Sequence, residues 1–148
     1  MQAKVIYVLN GPNLNLLGVR EPHLYGSTTL AQVEQLCRRV AEELGFSCEF
    51  RQTNHEGVMV DWVQEAREKA AALVINPAGL SFRSIPVLDA LKTLDQPIAE
   101  VHVTNIHRRD ALYQNSLVSL AATGVICGFG PFGYELALRA LVQRLASA

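Results

Sequence analysis

Short apolar runs alternate with amphipathic stretches from one end of the chain to the other. Residues 4–9 (KVIYVL) are β-branched and aromatic and predict a buried strand. Leu30, Val33, Leu36, Cys37, Val40 and Leu44 then recur at helical spacing, with cap residues from Ser27 to Thr29 and a stop at Gly45. Cys48, Phe50 and Gln52 alternate as a second strand, followed by a helix over roughly residues 59–71. Residues 72–75 (ALVI) predict a third strand. A helix follows from about Ser84, with Pro86 in its permissive first turn. Residues 98–103 and 124–127 predict the fourth and fifth strands. The last helix starts near Pro131 and carries Leu136, Leu138, Leu141, Val142 and Leu145.

Five strands alternating with helices imply a doubly wound parallel sheet with helices on both faces, because each crossover lays a helix on a sheet face. No linker, repeat or low-complexity stretch interrupts the pattern, so the whole chain, residues 1–148, reads as a single α/β domain. In such sheets ligands bind beyond the carboxyl ends of the strands. That directs attention to the loops at residues 10–28, 76–83 and 102–110.

Composition narrows the function classes. Hydrophobic residues make up 49% and charged residues 18%, which fits a globular protein and argues against disorder. A net charge of −1 leaves no basic footprint for nucleic acid and no polybasic membrane patch. No apolar run approaches the length of a bilayer span, and the first residues do not follow a signal-peptide pattern. Cys37, Cys48 and Cys127 stand in unrelated contexts without a CxxC, so reduced thiols in the cytoplasm are expected. His23, His55, His102 and His107 show no HxxxH or HExxH spacing, and no metal or other cofactor is expected.

Gly128, Gly130 and Gly133 satisfy the GxGxxG pattern between a strand and a helix. A dinucleotide fingerprint opens the first βαβ unit and needs an acidic residue about 20 positions on, after a further strand. Only one helix follows here, so the glycines predict a tight turn that lets the last helix pack on the sheet.

Three places carry candidate chemistry. The first loop is far longer than an ordinary connection, which predicts a functional lid, and it holds Arg20 and Tyr25 together. Free tyrosine, with a pKa of about 10, is a poor base at neutral pH, but a neighbouring guanidinium stabilises the phenolate. Tyr25 is therefore either a general base assisted by Arg20 or a residue that closes the loop. Asn76 follows the third strand; its amide either holds a developing oxyanion or closes the turn with Pro77. His102 ends the fourth strand two residues after Glu100, so both side chains share a face. A carboxylate beside an imidazole fixes its tautomer and favours its protonated form, as a general acid requires. The alternative is a satisfied core histidine. Thr104, Asn105 and Ile106 are placed to offer backbone N–H groups to a carboxylate.

Taken together, the segments NGPNLN from Asn10, REP from Arg20, Tyr25-Gly26, QTNHEG from Gln52, INPAG from Ile75, EVHVTN from Glu100 and GYELAL from Gly133 resemble type II 3-dehydroquinate dehydratase, in order and over the whole chain. The resemblance implies a flavodoxin-like fold, a dodecamer built from trimers and a small-molecule substrate. It implies anti elimination of water through an enolate, without metal or covalent intermediate, in the shikimate or quinate pathway. Carried over by position, Tyr25 removes the C2 proton and Arg20 stabilises its phenolate. Asn13 and Asn76 stabilise the enolate. His102, backed by Glu100, protonates the departing C1 hydroxyl, and Thr104 with the backbone at Asn105 and Ile106 holds the substrate carboxylate. Arg109 matches a further arginine near the site, and Asp89 an aspartate supplied by a neighbouring subunit. The three lysines, Lys4, Lys69 and Lys92, lie at a strand start and within helices, which leaves imine chemistry without a nucleophile.

Two positions depart from the family pattern. Phe82 stands where the family usually has histidine, and Tyr113 where it usually has arginine; both family residues contact the C4 and C5 hydroxyls of the substrate. Loss of a charged hydrogen bond costs about 1.5–3 kcal/mol, roughly tenfold to a hundredfold in affinity. Arg83 is the nearest cation in sequence that could compensate. Three readings result: a dehydratase with a weakened or retuned grip on its substrate, a low-activity binding or regulatory oligomer, and a flavodoxin-like nucleotide binder.

Overall fold

The structure, a computed structural model, describes residues 4–148. Its centre is a five-stranded parallel sheet in the order β2-β1-β3-β4-β5. The strands are β1 (Val5–Asn10), β2 (Ser47–Gln52), β3 (Ala72–Asn76), β4 (Ile98–His102) and β5 (Gly124–Cys127). The helices are α1 (Pro22–Tyr25), α2 (Leu30–Glu43), α3 (Glu56–Lys69), α4 (Ile85–Leu91) and α5 (Phe132–Ala146). This is a doubly wound parallel sheet, as the alternation of elements implies, in the flavodoxin-like order that the resemblance implies.

The period-2 alternation of the strands sorts the core into two layers. Ile6, Val8, Val74 and Val101 pack under α2 and α5 with Val33, Val40, Tyr134 and Leu138. Tyr7, Leu9, Leu73 and Ile75 face the other way, onto Met59, Val63, Val87 and Leu91 of α3 and α4. Strands β3 and β4 are buried along their whole length; β3 reads as an apolar run up to Asn76, whereas β4 carries the buried Glu100 and His102 between its apolar residues.

Several expected boundaries move. The first strand runs to Asn10, one residue beyond the apolar run, because Asn10 pairs with both Gln52 and Asn76. Helix α3 begins three residues before the expected start and ends two earlier. Its first turn is largely exposed and so carries no apolar signal, while Ala71 already donates its N–H to Val5 O at 2.8 Å and so belongs with the start of β3 rather than with the helix. Thr29 caps α2 in a reciprocal capping box with Gln32, and Ser84 caps α4. The long first loop is not structureless: it holds a 3-10 turn at Leu14–Leu16 and the single helical turn α1.

Candidate active site

The carboxyl ends of β1, β3 and β4 and the loops that follow them enclose a cleft of about 240 Å³. Asn13, Arg20, Tyr25, Asn76, Phe82, His102, Thr104, Ile106, Arg109 and Tyr113 all line it. Ten of the thirteen residues singled out from sequence therefore converge on one space. The other three are placed differently. Glu100 is fully buried behind His102 rather than in the wall, and Asn105 lines a shallower neighbouring hollow. Asp89 is exposed on α4, away from this chain's own cleft. Arg83 is exposed and does not line the cleft. No lysine lines the cleft either.

Two guanidinium groups approach Tyr25. The Cζ atoms of Arg20 and Arg109 lie 5.3 and 5.7 Å from its ring centroid. Glu21, 3.3 Å from Arg20, draws off part of that charge at the exposed rim. The ring of Tyr25 also packs against the core layer under α2 and α5, so it both closes the loop and faces the cleft. Arg109 sits 4.2 Å over Tyr113, which lies edge-on to Phe82 with centroids 5.5 Å apart. Phe82 in turn stacks beside His102 at 6.4 Å. An aromatic and cationic belt thus runs from Tyr25 to His102.

His102 Nε2 and Glu100 Oε2 are 2.5 Å apart, and Ser119 donates its hydroxyl to Glu100 Oε1 at 2.6 Å. Burial alone would push the Glu100 carboxyl up; hydrogen bonds from His102 and Ser119 outweigh burial and hold it below its usual range. Ser116 adds a nearby hydroxyl, buried and outside hydrogen-bond geometry. An ionised carboxylate fixes the imidazole with one nitrogen committed, leaving Nδ1 for proton transfer.

The backbone around the cleft is constrained. Asn13, Glu21 and Ala78, the three non-glycine residues with positive φ among the described residues, all lie in its loops. Each costs about 1–2 kcal/mol, less for asparagine, and such strain collects at functional sites. Ala78 is held by its N–H donating to Asn76 Oδ1 at 3.2 Å, so the turn closure expected of Asn76 is present. Gly11 donates to Asn76 O at 2.8 Å, and a Cβ there would lie 2.3 Å from Pro77 O. The glycine turn after β5 behaves as a packing turn: Gly128 adopts φ 96°, where a Cβ would stand 3.0 Å from Asn105 Cβ.

Sequence reasoning missed Ser119 and Tyr134. Ser119 sits in a short 3-10 turn, Leu117–Leu120, with no sequence signal of its own. Tyr134, buried in the first turn of α5, bonds both Asn76 and Asn10. The signal for it was present in the two strand-terminal asparagines, each needing a buried partner. Among the described residues no three histidines, cysteines or acidic groups gather as a metal site, and no helix is long and apolar enough to cross a membrane.

The chain is 54% identical over 139 residues to "3-dehydroquinate dehydratase 1" of Agrobacterium fabrum, covering 94% of this chain and 96% of that protein. It is 56% identical over 138 residues to the "3-dehydroquinate dehydratase" of Phenylobacterium zucineum, covering 93% and 95%. The fold superposes on the crystal structure of type II dehydroquinase from Propionibacterium acnes with a TM-score of 0.92 at 44% identity, over 96% of this chain and 98% of that one. The family described as dehydroquinase class II matches residues 4–142, and with that match the chain belongs to the class II dehydroquinases.

Proposed function

We propose that this chain is a hydro-lyase that converts 3-dehydroquinate to 3-dehydroshikimate by anti elimination through an enolate. The observation that carries the proposal is the convergence of Tyr25, two guanidinium groups, Asn76 and the Glu100–His102 pair on one cleft. Tyr25, as phenolate, takes the C2 proton, with Arg20 and Arg109 beside the charge it carries. The electron pair moves onto the ketone oxygen, where Asn13 and Asn76 stabilise the enolate. The enolate then collapses to form the ring double bond and expels the C1 hydroxyl, which leaves as water with a proton from His102. Glu100 fixes the ring that gives this proton. Thr104 and the backbone at Asn105 and Ile106 hold the substrate carboxylate.

The near-complete similarity to dehydratases at about half identity favours this reading over a regulatory oligomer or a nucleotide binder. The whole chain acts as one catalytic domain in the cytoplasm, in the shikimate or quinate pathway. It assembles as a dodecamer built from four trimers, in which Asp89 of one subunit reaches a neighbour's cleft. Exposure of Asp89, and of Ile85 beside it at 59%, is consistent with that role.

The test is the absorbance of the conjugated enone formed from 3-dehydroquinate. Turnover is expected, and it should survive a chelator as well as borohydride added with substrate. No turnover by a folded oligomer would overturn the assignment, and loss of activity with borohydride would point to an imine.

A further inference from the structure

Asn10 and Asn76 are register partners at the ends of β1 and β3. Their side chains share the face covered by α5, where Tyr134 is fully buried. Four hydrogen bonds run through them in series. Ala78 N–H donates to Asn76 Oδ1 at 3.2 Å, and Asn76 Nδ2 donates to Tyr134 Oη at 2.9 Å. Tyr134 Oη donates to Asn10 Oδ1 at 2.7 Å, and Asn10 Nδ2 donates to Arg51 O at 3.0 Å.

The two outer partners are backbone groups of fixed polarity. An amide N–H only donates and a carbonyl oxygen only accepts. Asn76 must therefore turn its oxygen to Ala78, which puts its nitrogen on Tyr134. Asn10 must turn its nitrogen to Arg51, which puts its oxygen on Tyr134. The phenol has one proton, and Asn10 takes it; a lone pair is then left for Asn76. No member can reverse without leaving a buried group unpaired, at about 1–3 kcal/mol. Burial also pushes the Tyr134 phenol up, so the proton stays on it.

One consequence reaches the cleft. Asn76 has two amide N–H bonds and Tyr134 accepts one; the other is available to the cleft that Asn76 lines. We infer that Tyr134, which does not itself line the cleft, is a positioning residue that locks the Asn76 carboxamide as a hydrogen-bond donor toward the enolate oxygen. This rests on the proposed role of Asn76 in enolate stabilisation. Preorganised donors of this kind act because they need not reorient as charge develops.

The test uses Tyr134→Phe, which keeps the ring in its packing and removes only the hydroxyl. Expected is a fall in kcat of about tenfold to a hundredfold, below the loss for deleting an oxyanion donor outright, with KM within about threefold. A stable planar analogue of the enolate should bind Tyr134→Phe more weakly by a similar factor, while 3-dehydroshikimate binds as before. A purely structural role would weaken both ligands alike and would overturn the inference, as would an unchanged kcat. Asn76→Ala separates the two levels. If it lowers kcat while Tyr134→Phe does not, the positioning role fails; if Asn76→Ala leaves kcat unchanged, the reading of Asn76 itself fails. Should Tyr134→Phe not fold, side-chain amide exchange in the wild-type protein decides. Asn76 protons should exchange far more slowly than those of exposed Asn115, and equal rates would overturn the inference.

Discussion

Ser119 donates its hydroxyl to Glu100 Oε1 across 2.6 Å, anchoring the carboxylate whose other oxygen meets His102. Glu100 is held below its usual range despite complete burial, and this bond is one of the causes. In Ser119→Ala the ionised form loses a stabilising partner, so protonation of Glu100 should begin at higher pH. The acid limb of the kcat/KM profile should then move to higher pH, with kcat on the plateau reduced by less than about threefold. Glu100→Gln, which cannot carry the charge, should lower kcat about a hundredfold at every pH. A Ser119→Ala profile that overlays the wild type would mean that protonation of Glu100 does not set that limb.

Tyr25→Phe is expected to lower kcat by about a thousandfold while changing KM little, since the base acts on the proton and not on ground-state binding. The ring keeps its packing against the core, so the thermal midpoint should stay within a few degrees. Single-turnover kinetics on the folded mutant check both parts. Near-normal kcat would mean that Tyr25 only closes the loop.

What could be read from sequence follows from the physics of each element. The five parallel strands and their alternation with helices were legible, because short buried runs such as ALVI of β3 stand between amphipathic stretches. The first turn of α3 was not, since its side chains are mostly exposed and its helical start depends on the backbone at His55. Ten of the candidate residues line one cleft, several at the strand ends and crossover loops where a doubly wound sheet forms its cleft and others supplied by the resemblance alone. The depth order within the site was hidden. Glu100 behind His102 was foreseeable from the two-residue spacing, but Ser119 arrives from a loop 19 residues away and Tyr134 from 58 residues beyond Asn76. Those contacts are tertiary, and no local periodicity encodes them.

A second pH dependence lies outside the cleft. Glu65 is lowered to about 2 by hydrogen bonds from Arg51 and Tyr7, with Arg51 lying over the Tyr7 and Trp62 rings. A carboxyl with a depressed folded pKa contributes stability above its unfolded value near 4.5 and loses it as pH falls toward 2. The wild-type urea midpoint should therefore drop more between pH 7 and pH 3 than that of Glu65→Gln. Parallel loss in the two proteins would place the acid-labile contacts elsewhere.

The departures at Phe82 and Tyr113 are in contact, and that changes how they must be tested. Their rings pack edge to face, Phe82 also stacks beside His102, and Arg109 lies 4.2 Å over Tyr113. Each aromatic residue thus supports the other, and the pair forms an aromatic wall at the two positions where the resemblance leads one to expect histidine and arginine. Tyr113→Arg alone would set a second guanidinium beside Arg109 with Phe82 still apolar, so repulsion should cancel much of any gain. Phe82→His alone would take away the packing partner of Tyr113 and add a single donor. If these positions hold the C4 and C5 hydroxyls as the resemblance implies, Phe82→His with Tyr113→Arg should restore that grip, with an effect exceeding the sum of the single changes. Expected is a rise in kcat/KM for 3-dehydroquinate of about tenfold, the lower end of one charged hydrogen bond. If the contacts are equal in ground and transition states the gain falls in KM; if they hold the ring for reaction it falls in kcat. All four proteins of the cycle must be measured, with folding and oligomer size checked alongside. A double mutant that is folded yet no better on 3-dehydroquinate would show that the aromatic wall does not weaken substrate binding, and that the hydroxyls are held by other groups of the cleft.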